Sequence, residues 1–387
     1  MTQNKRHNIL FTDSEPFEFI KAQLSLLSDT GRLFVVSTGK ILEITGLSET
    51  LKELEKSGKC FIHILKTDGE KCKSFSNVNL VLKKLTDMGF GKNDILIGIG
   101  GGTITDLSGF SASIYKRGMR LAFIPTTLLC MIDASIGGKN AVNISRTKNA
   151  AGTFYNPEKI FIIPDLLKSL PANEMANGMF EALKYGLLFS KSLVTAINQK
   201  NFNFTNYNLK SKSELIRIIK QCVQFKQEIV NADYLDKGCR MLLNAGHTFG
   251  HAIESVSNNK ISHGAAVGLG LYFETTIGRE LGIIQDKHNI SEIISNLISF
   301  FEKSGNAGLI QKWQNLIKTS KLEKYIINDK KAGTSISAAK NTAVHSTAEN
   351  HVKIKIPFIT KIGRAEIIEI DFNNELLPFL KNIKAVF

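Results

Sequence analysis

The chain has 387 residues, 43% of them hydrophobic and 22% charged, with a formal charge of +14 and five cysteines, Cys60, Cys72, Cys130, Cys222 and Cys239. That length suits two ordinary domains or one large domain with a helical annex, and the composition excludes a disordered chain. Scattered cysteines without a CxxC pair exclude a disulfide framework and a cysteine-based zinc site. The lack of an apolar leader in "MTQNKRHNIL" or of a bilayer-length apolar run points to a cytoplasmic chain with no membrane partner.

The positive charge raises nucleic-acid binding, but the lysines are spread along the chain and no recognised binding motif accompanies them. No nucleic acid is expected as a partner. A basic pocket for an anionic small molecule accounts for part of the excess equally well.

In chain order, "GRLFVVSTG" (31–39), "CFIHIL" (60–65), "DILIGIG" (94–100), "RLAFIPT" (120–126) and "KIFIIP" (159–164) read as buried strands. Helical candidates such as 77–89 and 106–118 lie between them. The alternation predicts an α/β domain with a Rossmann-like parallel sheet over 1–168. From 169 to 387 the pattern is mostly α-helical, with segments at 172–198, 212–231, 239–256, 264–282 and 290–303. The small, polar stretch 332–350 reads as a mobile loop, and two strand-like pieces, "VKIKIPFI" and "AEIIEI", follow it.

Several segments carry chemistry. "DILIGIGGGTITDLSGF" places Gly100, Gly101 and Gly102 between a strand and a helix start, where backbone N–H groups favour a phosphate. It is not a full GxGxxG, so the turn alone leaves nucleotide binding and a plain tight connection both open. "DASIGGKNAVNISRTKNAAGTFYNP" (133–157) reads first as a solvated loop and second as an anion-binding one.

In helix 212–231 Lys226 falls in the middle of the apolar face, and it either snorkels past the core edge or points into a pocket. In 239–256, read as one continuous helix, Arg240, Asn244, His247 and His251 lie within about 60° of each other, which requires an interior polar site or water on that face. In 172–198, Glu174, Asn177, Glu181 and Lys184 share a face, as a surface Glu–Lys pair or as a source of a carboxylate ligand. Three histidines, His247, His251 and His263, stand in "NAGHTFGHAIESVSNNKISHG", and the i, i+4 spacing of the first two is the usual one for metal ligands.

Taken together, "GIGGGTITDLSGF", "YKRGMR", "IPTTLL", "DASIGGKNAVN", "KNAAGTFYNP", "LPANEMANGMFEALKYG", "RMLLNAGHTFGHAIE" and the "HG" at 263–264 resemble the 3-dehydroquinate synthases, a family of sugar-phosphate cyclases. The resemblance is close from about 94 to 270 and looser outside. It implies a metal, zinc or cobalt, held by Glu181, His247 and His263, with His251 left to handle protons beside the substrate phosphate. It implies NAD with its pyrophosphate on Gly101, Gly102 and Thr103, its carboxamide on Asp106, Thr126 and Thr127 nearby, Glu70 and Lys73 near the adenosine ribose, and Lys148 between cofactor and substrate. Asp133, Lys139, Asn149, Lys184, Lys226, Arg240, Asn244 and His251 would surround the substrate. Arg117 would reach a neighbouring subunit's phosphate site, which implies a homodimer.

The implied reaction turns 3-deoxy-D-arabino-heptulosonate 7-phosphate into 3-dehydroquinate and phosphate, within the shikimate pathway. The family's usual "HGEAV" is "HGAAV" here, Asp236 stands where a glutamate is common, "VSTGK" at 36–40 lacks an acidic residue, and Lys330 or Lys331 would meet the substrate carboxylate. The alternatives are another cyclase of aminodehydroquinate or valiolone type, a metal-dependent NAD polyol dehydrogenase, or a non-catalytic scaffold.

Overall fold

The computed structural model describes residues 8–386 apart from 14, 146, 199–208, 259, 285–288, 304–310, 312–314, 316–321 and 328–351. The expected loop at 332–350 and Lys330 and Lys331 lie outside the described residues. The chain forms two compact units, Met1–Gly178 with Asn206–Leu235, and Met179–Thr205 with Asp236–Phe387. Where the sequence suggested one break near 168, the helix Leu209–Ala232 thus belongs with the first unit.

The first unit is built on a sheet of strands β1 (Asn8–Phe11), β2 (Leu33–Thr38), β3 (Cys60–Leu65), β4 (Ile95–Gly100) and β5 (Arg120–Pro125), with β8 (Lys159–Ile162) following a hairpin of β6 (Lys139–Ile144) and β7 (Thr147–Phe154). The six sheet strands run parallel in the order β1-β8-β5-β4-β2-β3. Every residue of β2 and β4 is buried, as expected of central parallel strands covered by helices. All five expected strands are present. The four-residue β1 was not expected, and the segment 133–157, expected as a loop, contains the antiparallel β6–β7 pair.

The strand order fixes where a ligand can sit. After β2 the chain moves outward to β3, whereas after β4 it moves the other way to β5. The carboxyl ends of β2 and β4 therefore flank a topological switch point, the usual place for a ligand crevice in an open α/β sheet. The glycine turn 100–102 begins there.

The second unit takes in the end of the helix Ala172–Phe189 and the helices Lys191–Ile197, His247–Val256, His263–Glu280, Ile290–Lys303, Leu322–Ile327 and Leu377–Val386. It also holds the antiparallel pair β9 (Lys353–Lys361) and β10 (Arg364–Asp371). Its core gathers Phe180, Tyr185, Phe249, Phe273 and Phe358, with the Phe249 and Phe273 rings 4.7 Å apart. The expected continuous helix over 239–256 is instead a 3-10 segment, Cys239–Asn244, a turn, and the α-helix from His247. Gly246, at φ 77, breaks it, because left-handed backbone cannot continue a right-handed helix. Ser190 likewise ends 172–189 and caps the next helix by accepting the Leu193 N–H. No helix among the described residues is long and apolar enough to cross a membrane.

Candidate functional site

In the first unit, Gly101 is the N-cap of the helix Gly102–Ile114 and no side chain caps it, so the first N–H groups of that helix are left for a ligand. A Cβ on Gly101 would lie 3.1 Å from Thr127 Cγ2, and one on Gly102 would lie 3.3 Å from Ala134 Cβ. Thr126 is buried and its N–H donates to Gly100 O at 3.0 Å, while Thr127 Oγ1 accepts the Cys130 N–H at 3.2 Å. Thr103 and Asp106 follow within the first turn and a half of the helix, both half-buried.

Lys73, only 5% exposed, joins two of the expected groups: its Nζ donates to Asp106 Oδ2 and to Asn149 Oδ1, both at 2.5 Å. Asn149 sits in left-handed backbone at φ 52, and its N–H donates to Asn143 Oδ1 at 2.9 Å. Asn143 in turn takes its place from the segment carrying Lys73: its N–H donates to Lys73 O at 2.9 Å, and its Nδ2 to Glu70 Oε1 at 2.7 Å. The hairpin therefore fixes Glu70, Lys73 and Asn149 as one hydrogen-bonded group. Lys139 and Lys148 are exposed on the hairpin.

Lys226 points inward, and its ammonium donates to Asp133 Oδ1 at 2.7 Å. Its stem lies in the apolar face while the charge is paired, which resolves the two readings of its position in favour of a held interior lysine. Arg117 is exposed and, with Lys116, adopts left-handed backbone at φ 64 and 48. Strain of this kind persists where surroundings hold it, and here the Lys116 ammonium donates to Phe90 O at 2.7 Å.

In the second unit Glu181 is fully buried on the helix Ala172–Phe189, one turn from Lys184, whose ammonium forms an ion pair with Glu181 Oε2. The surface-pair reading of these residues is excluded by that burial. His247 Nε2 lies 3.5 Å and His263 Nε2 3.7 Å from Glu181 Oε1. One donor atom from each of the three lies within 4.8 Å of the others. The ring nitrogens facing away are anchored, His247 Nδ1 to Ala245 O at 3.1 Å and His263 Nδ1 to Glu254 Oε2 at 3.1 Å. Such partners orient an imidazole, here turning its other nitrogen toward Glu181.

His251 keeps its helical spacing, with its ring 5.4 Å from that of His247, yet it falls outside this triad. It can form a second grouping with Glu254 and His263. Arg240 is buried in the 3-10 segment and Asn244 is half-buried, so the break at Gly246 removes both from the stripe that a continuous helix would have made.

Glu254 and Glu274 were missed in the sequence. Glu254 lies seven residues after His247, on the same helix face, and its burial is the signal that spacing could have offered. Glu274 is a lone carboxyl in the apolar run "LGLYFETTIG", 3% exposed. Burial pushes that carboxyl well above the usual range, against the opposing pull of the Gly246 N–H and the Lys184 charge.

The N-terminal 3-dehydroquinate synthase family model matches residues 63–177, and the C-terminal one matches 178–332. The 3-dehydroquinate synthase of Pyrococcus furiosus is 44% identical over 250 residues, 64% of this chain and 71% of that one. That of Thermodesulfovibrio yellowstonii is 35% identical over 322 residues, 83% of this chain and 88% of that one. Among solved structures, the 2-epi-5-epi-valiolone synthase of Streptomyces hygroscopicus superposes with a TM-score of 0.74 at 19% identity, covering 100% of this chain and 99% of the other, a likeness of fold. An iron-containing alcohol dehydrogenase is more distant, with a TM-score of 0.59 at 15% identity over 83% of this chain and 96% of the other. With its donor triad in place and family matches running from 63 to 332, the chain belongs to the 3-dehydroquinate synthase family.

Proposed function

We propose that the chain converts 3-deoxy-D-arabino-heptulosonate 7-phosphate into 3-dehydroquinate and inorganic phosphate, with NAD and one divalent cation, zinc or cobalt, as resident groups. The observation that carries this is the convergence of Glu181, His247 and His263 beside the buried Lys184, in a chain of this family. The residues fit a cation: Glu181 Oε1 is buried without a hydrogen-bond partner, Oε2 is paired with Lys184, and two imidazoles with one carboxylate leave positions open for substrate. They fit a dinucleotide too, in an uncapped helix start after a glycine turn at the switch point. The valiolone synthase carries NAD+ and Zn2+, and a 2-deoxy-scyllo-inosose synthase of the same fold carries NAD+, Co2+ and carbaglucose-6-phosphate. When bound, NAD takes up and returns a hydride at the substrate's C5, and the cation polarises the C5 oxygen.

The chain's own groups then have these tasks. Gly101, Gly102 and Thr103 hold the pyrophosphate with backbone N–H groups, Asp106 holds the carboxamide with Thr126 and Thr127 beside it, and Glu70, Lys73 and Lys148 complete the cofactor contacts. Lys139, Lys184, Lys226 and Arg240 offset the substrate's carboxylate and phosphate charges, and Asn149 and Asn244 orient its hydroxyls. Asp133 keeps the Lys226 ammonium fixed, and His251 moves a proton near the leaving phosphate. Substrate loses the C6 proton and phosphate, the ring opens, and an aldol closure forms the carbocycle, so that substrate and the two products balance without net oxidation.

Arg117, held in a strained turn, would complete the phosphate site of a neighbouring copy, which makes the functional unit a homodimer. Four of the five free cysteines are buried and one is exposed, which suits a reducing cytoplasm.

The test is turnover with NAD well below the substrate concentration, following phosphate and dehydroquinate together. Many product molecules per NAD support the reading. Net NADH accumulation would indicate a dehydrogenase, and no phosphate release from metal- and NAD-loaded protein would exclude this substrate.

A further inference from the structure

The helix His263–Glu280 supplies one imidazole of the triad at its first residue and, three turns further on, a buried carboxyl that the proposed reaction does not use. Glu274 Oε2 accepts the N–H of Gly246 at 2.6 Å, and Oε1 is buried without a hydrogen-bond partner. Gly246 is the N-cap of the helix that begins with His247, so its own N–H lies outside the helical ladder and must find an acceptor elsewhere. The turn is pressed against the carboxyl-bearing helix: a Cβ on Gly246 would lie 2.7 Å from Val267 O and from Leu271 Cγ. A Cβ on Gly270 would lie 1.9 Å from Gly246 O. Glycines at both faces thus allow the contact, and the Glu274 bond ties the turn at the Gly246 N–H.

We propose that Glu274 is a positioning residue for His247. Its hydrogen bond to Gly246 holds the left-handed turn from which His247 projects toward Glu181, so that one helix sets both imidazoles of the triad. The inference rests on the reading of Glu181, His247 and His263 as the cation-holding set. Without the acceptor, a buried N–H is left unsatisfied, and the turn relieves that cost by moving, carrying His247 with it. Burial raises the proton affinity of the Glu274 carboxyl, against the Gly246 N–H and the Lys184 charge. The bond, not the charge, is what positions the turn, and a glutamine amide oxygen supplies the same acceptor.

The experiment titrates Co2+ into the metal-free full chain and reads affinity together with the ligand-field absorption band, for the parent, E274Q and E274M. E274M matches the side chain's length and removes the acceptor. The parent and E274Q bind alike, whereas E274M binds about ten- to a hundredfold more weakly, the usual effect of losing a partner that orients a ligand, with an altered band. Equal affinity and band in E274M overturn the proposal, as does an E274Q loss as large as that of E274M.

Should E274M not fold, amide exchange in the parent decides: Gly246 N–H exchanges as slowly as the neighbouring helix if the bond is made, and exchange as fast as an exposed loop overturns it. Failure of the parent itself to bind Co2+ counts instead against the cation reading, which separates the two.

Discussion

Glu254 Oε2 stands 3.1 Å from His263 Nδ1, and this contact turns His263 Nε2 toward Glu181. The carboxylate comes from the helix His247–Val256 and the imidazole from the start of His263–Glu280, so one helix orients the imidazole carried by the other. Removing the acceptor in Glu254→Ala is expected to weaken cation binding about ten- to a hundredfold, because the ring loses both its orientation and some basicity. Glu254→Gln keeps an oxygen for Nδ1 and is expected to lose less. Calorimetric or competition titration of zinc measures both, and equal affinity for Glu254→Ala and the parent would show that packing alone orients the ring.

Lys226 and Asp133 form the corresponding relationship in the first unit, with side chains 9% and 23% exposed. Lys226→Met keeps the stem's packing and removes the charge, leaving Asp133 without that partner. The expected cost is about 1.5–3 kcal/mol of stability, the range for a charged hydrogen bond, together with a large loss of turnover if Lys226 also meets the substrate's negative groups. Denaturant unfolding and kcat/KM separate the two effects. A variant as stable as the parent but inactive assigns Lys226 to substrate, and one that is destabilised yet fully active assigns it to structure alone.

The fold's legibility in the sequence followed the strength of the local pattern. Continuous apolar runs marked β2, β3, β4, β5 and β8, most plainly β2 and β4, since a strand covered on both faces has no polar positions to break it. The strand "NILF" offers three consecutive apolar residues against the four of "IFII" (160–163) at β8, and "KNAVNI" with "TKNAAGTF" is too polar and too rich in small residues to read as a hairpin. The helix Leu209–Ala232 displayed its buried face, but an amphipathic pattern does not name the surface it packs on, so its place in the first unit was invisible.

In the site, the i, i+4 pair His247 and His251 was conspicuous while His263 was not, and only the family resemblance pointed to the triad. Geometry supplies the reason: Glu181 lies within reach of His247 and His263. The break at Gly246 was hidden because a glycine in a helical pattern is usually tolerated. Its need became visible only from the helix lying against it.

Gly109 offers a test of packing away from the triad. A Cβ there would lie 1.8 Å from Asn140 Oδ1, and Asn140 cannot swing away freely because its Nδ2 donates to Gly138 O at 2.9 Å and to Tyr155 O at 2.8 Å. Gly109→Ala is therefore expected to destabilise the chain by about 1–3 kcal/mol, the cost of overpacking, and to disturb the hairpin that carries Lys139 and Asn149. Thermal unfolding with and without NAD checks it: a normal melting point would mean that the helix and hairpin separate easily.

Glu274 predicts a pH dependence. Its folded carboxyl has a raised proton affinity, through burial first, so the folded state keeps a proton that the unfolded chain gives up above its ordinary value of about 4.5. The sign follows: stability contributed by this proton is fully present below that value and is lost as pH rises toward the folded value. Glu274→Gln cannot titrate, so the difference in melting temperature, variant minus parent, is expected to grow as pH is raised from 5 to 8 in metal-free protein. A difference that stays constant across that range would mean that Glu274 is ionised in the fold.

The three histidines can be separated by substitution one at a time. His247→Ala and His263→Ala each remove one of three donors lying within 4.8 Å of one another, and a cation left with one imidazole and one carboxylate loses most of its binding energy. Both variants are expected to lose bound zinc after dialysis, as read by elemental analysis. His251→Ala removes a ring outside the Glu181 triad and is expected to retain stoichiometric zinc while losing turnover, because the proposed mechanism gives it the proton beside the leaving phosphate. The opposite pattern, zinc lost with His251 and kept without His263, would return the assignment to the i, i+4 pair. Loss of zinc in all three would favour a cation shared with the second grouping of His251, Glu254 and His263, whose donors also lie within 4.8 Å of one another. The Glu181 triad is the stronger expectation, because its carboxylate is fully buried and its Oε1, the oxygen not paired with Lys184, lies 3.5 and 3.7 Å from the Nε2 atoms of His247 and His263.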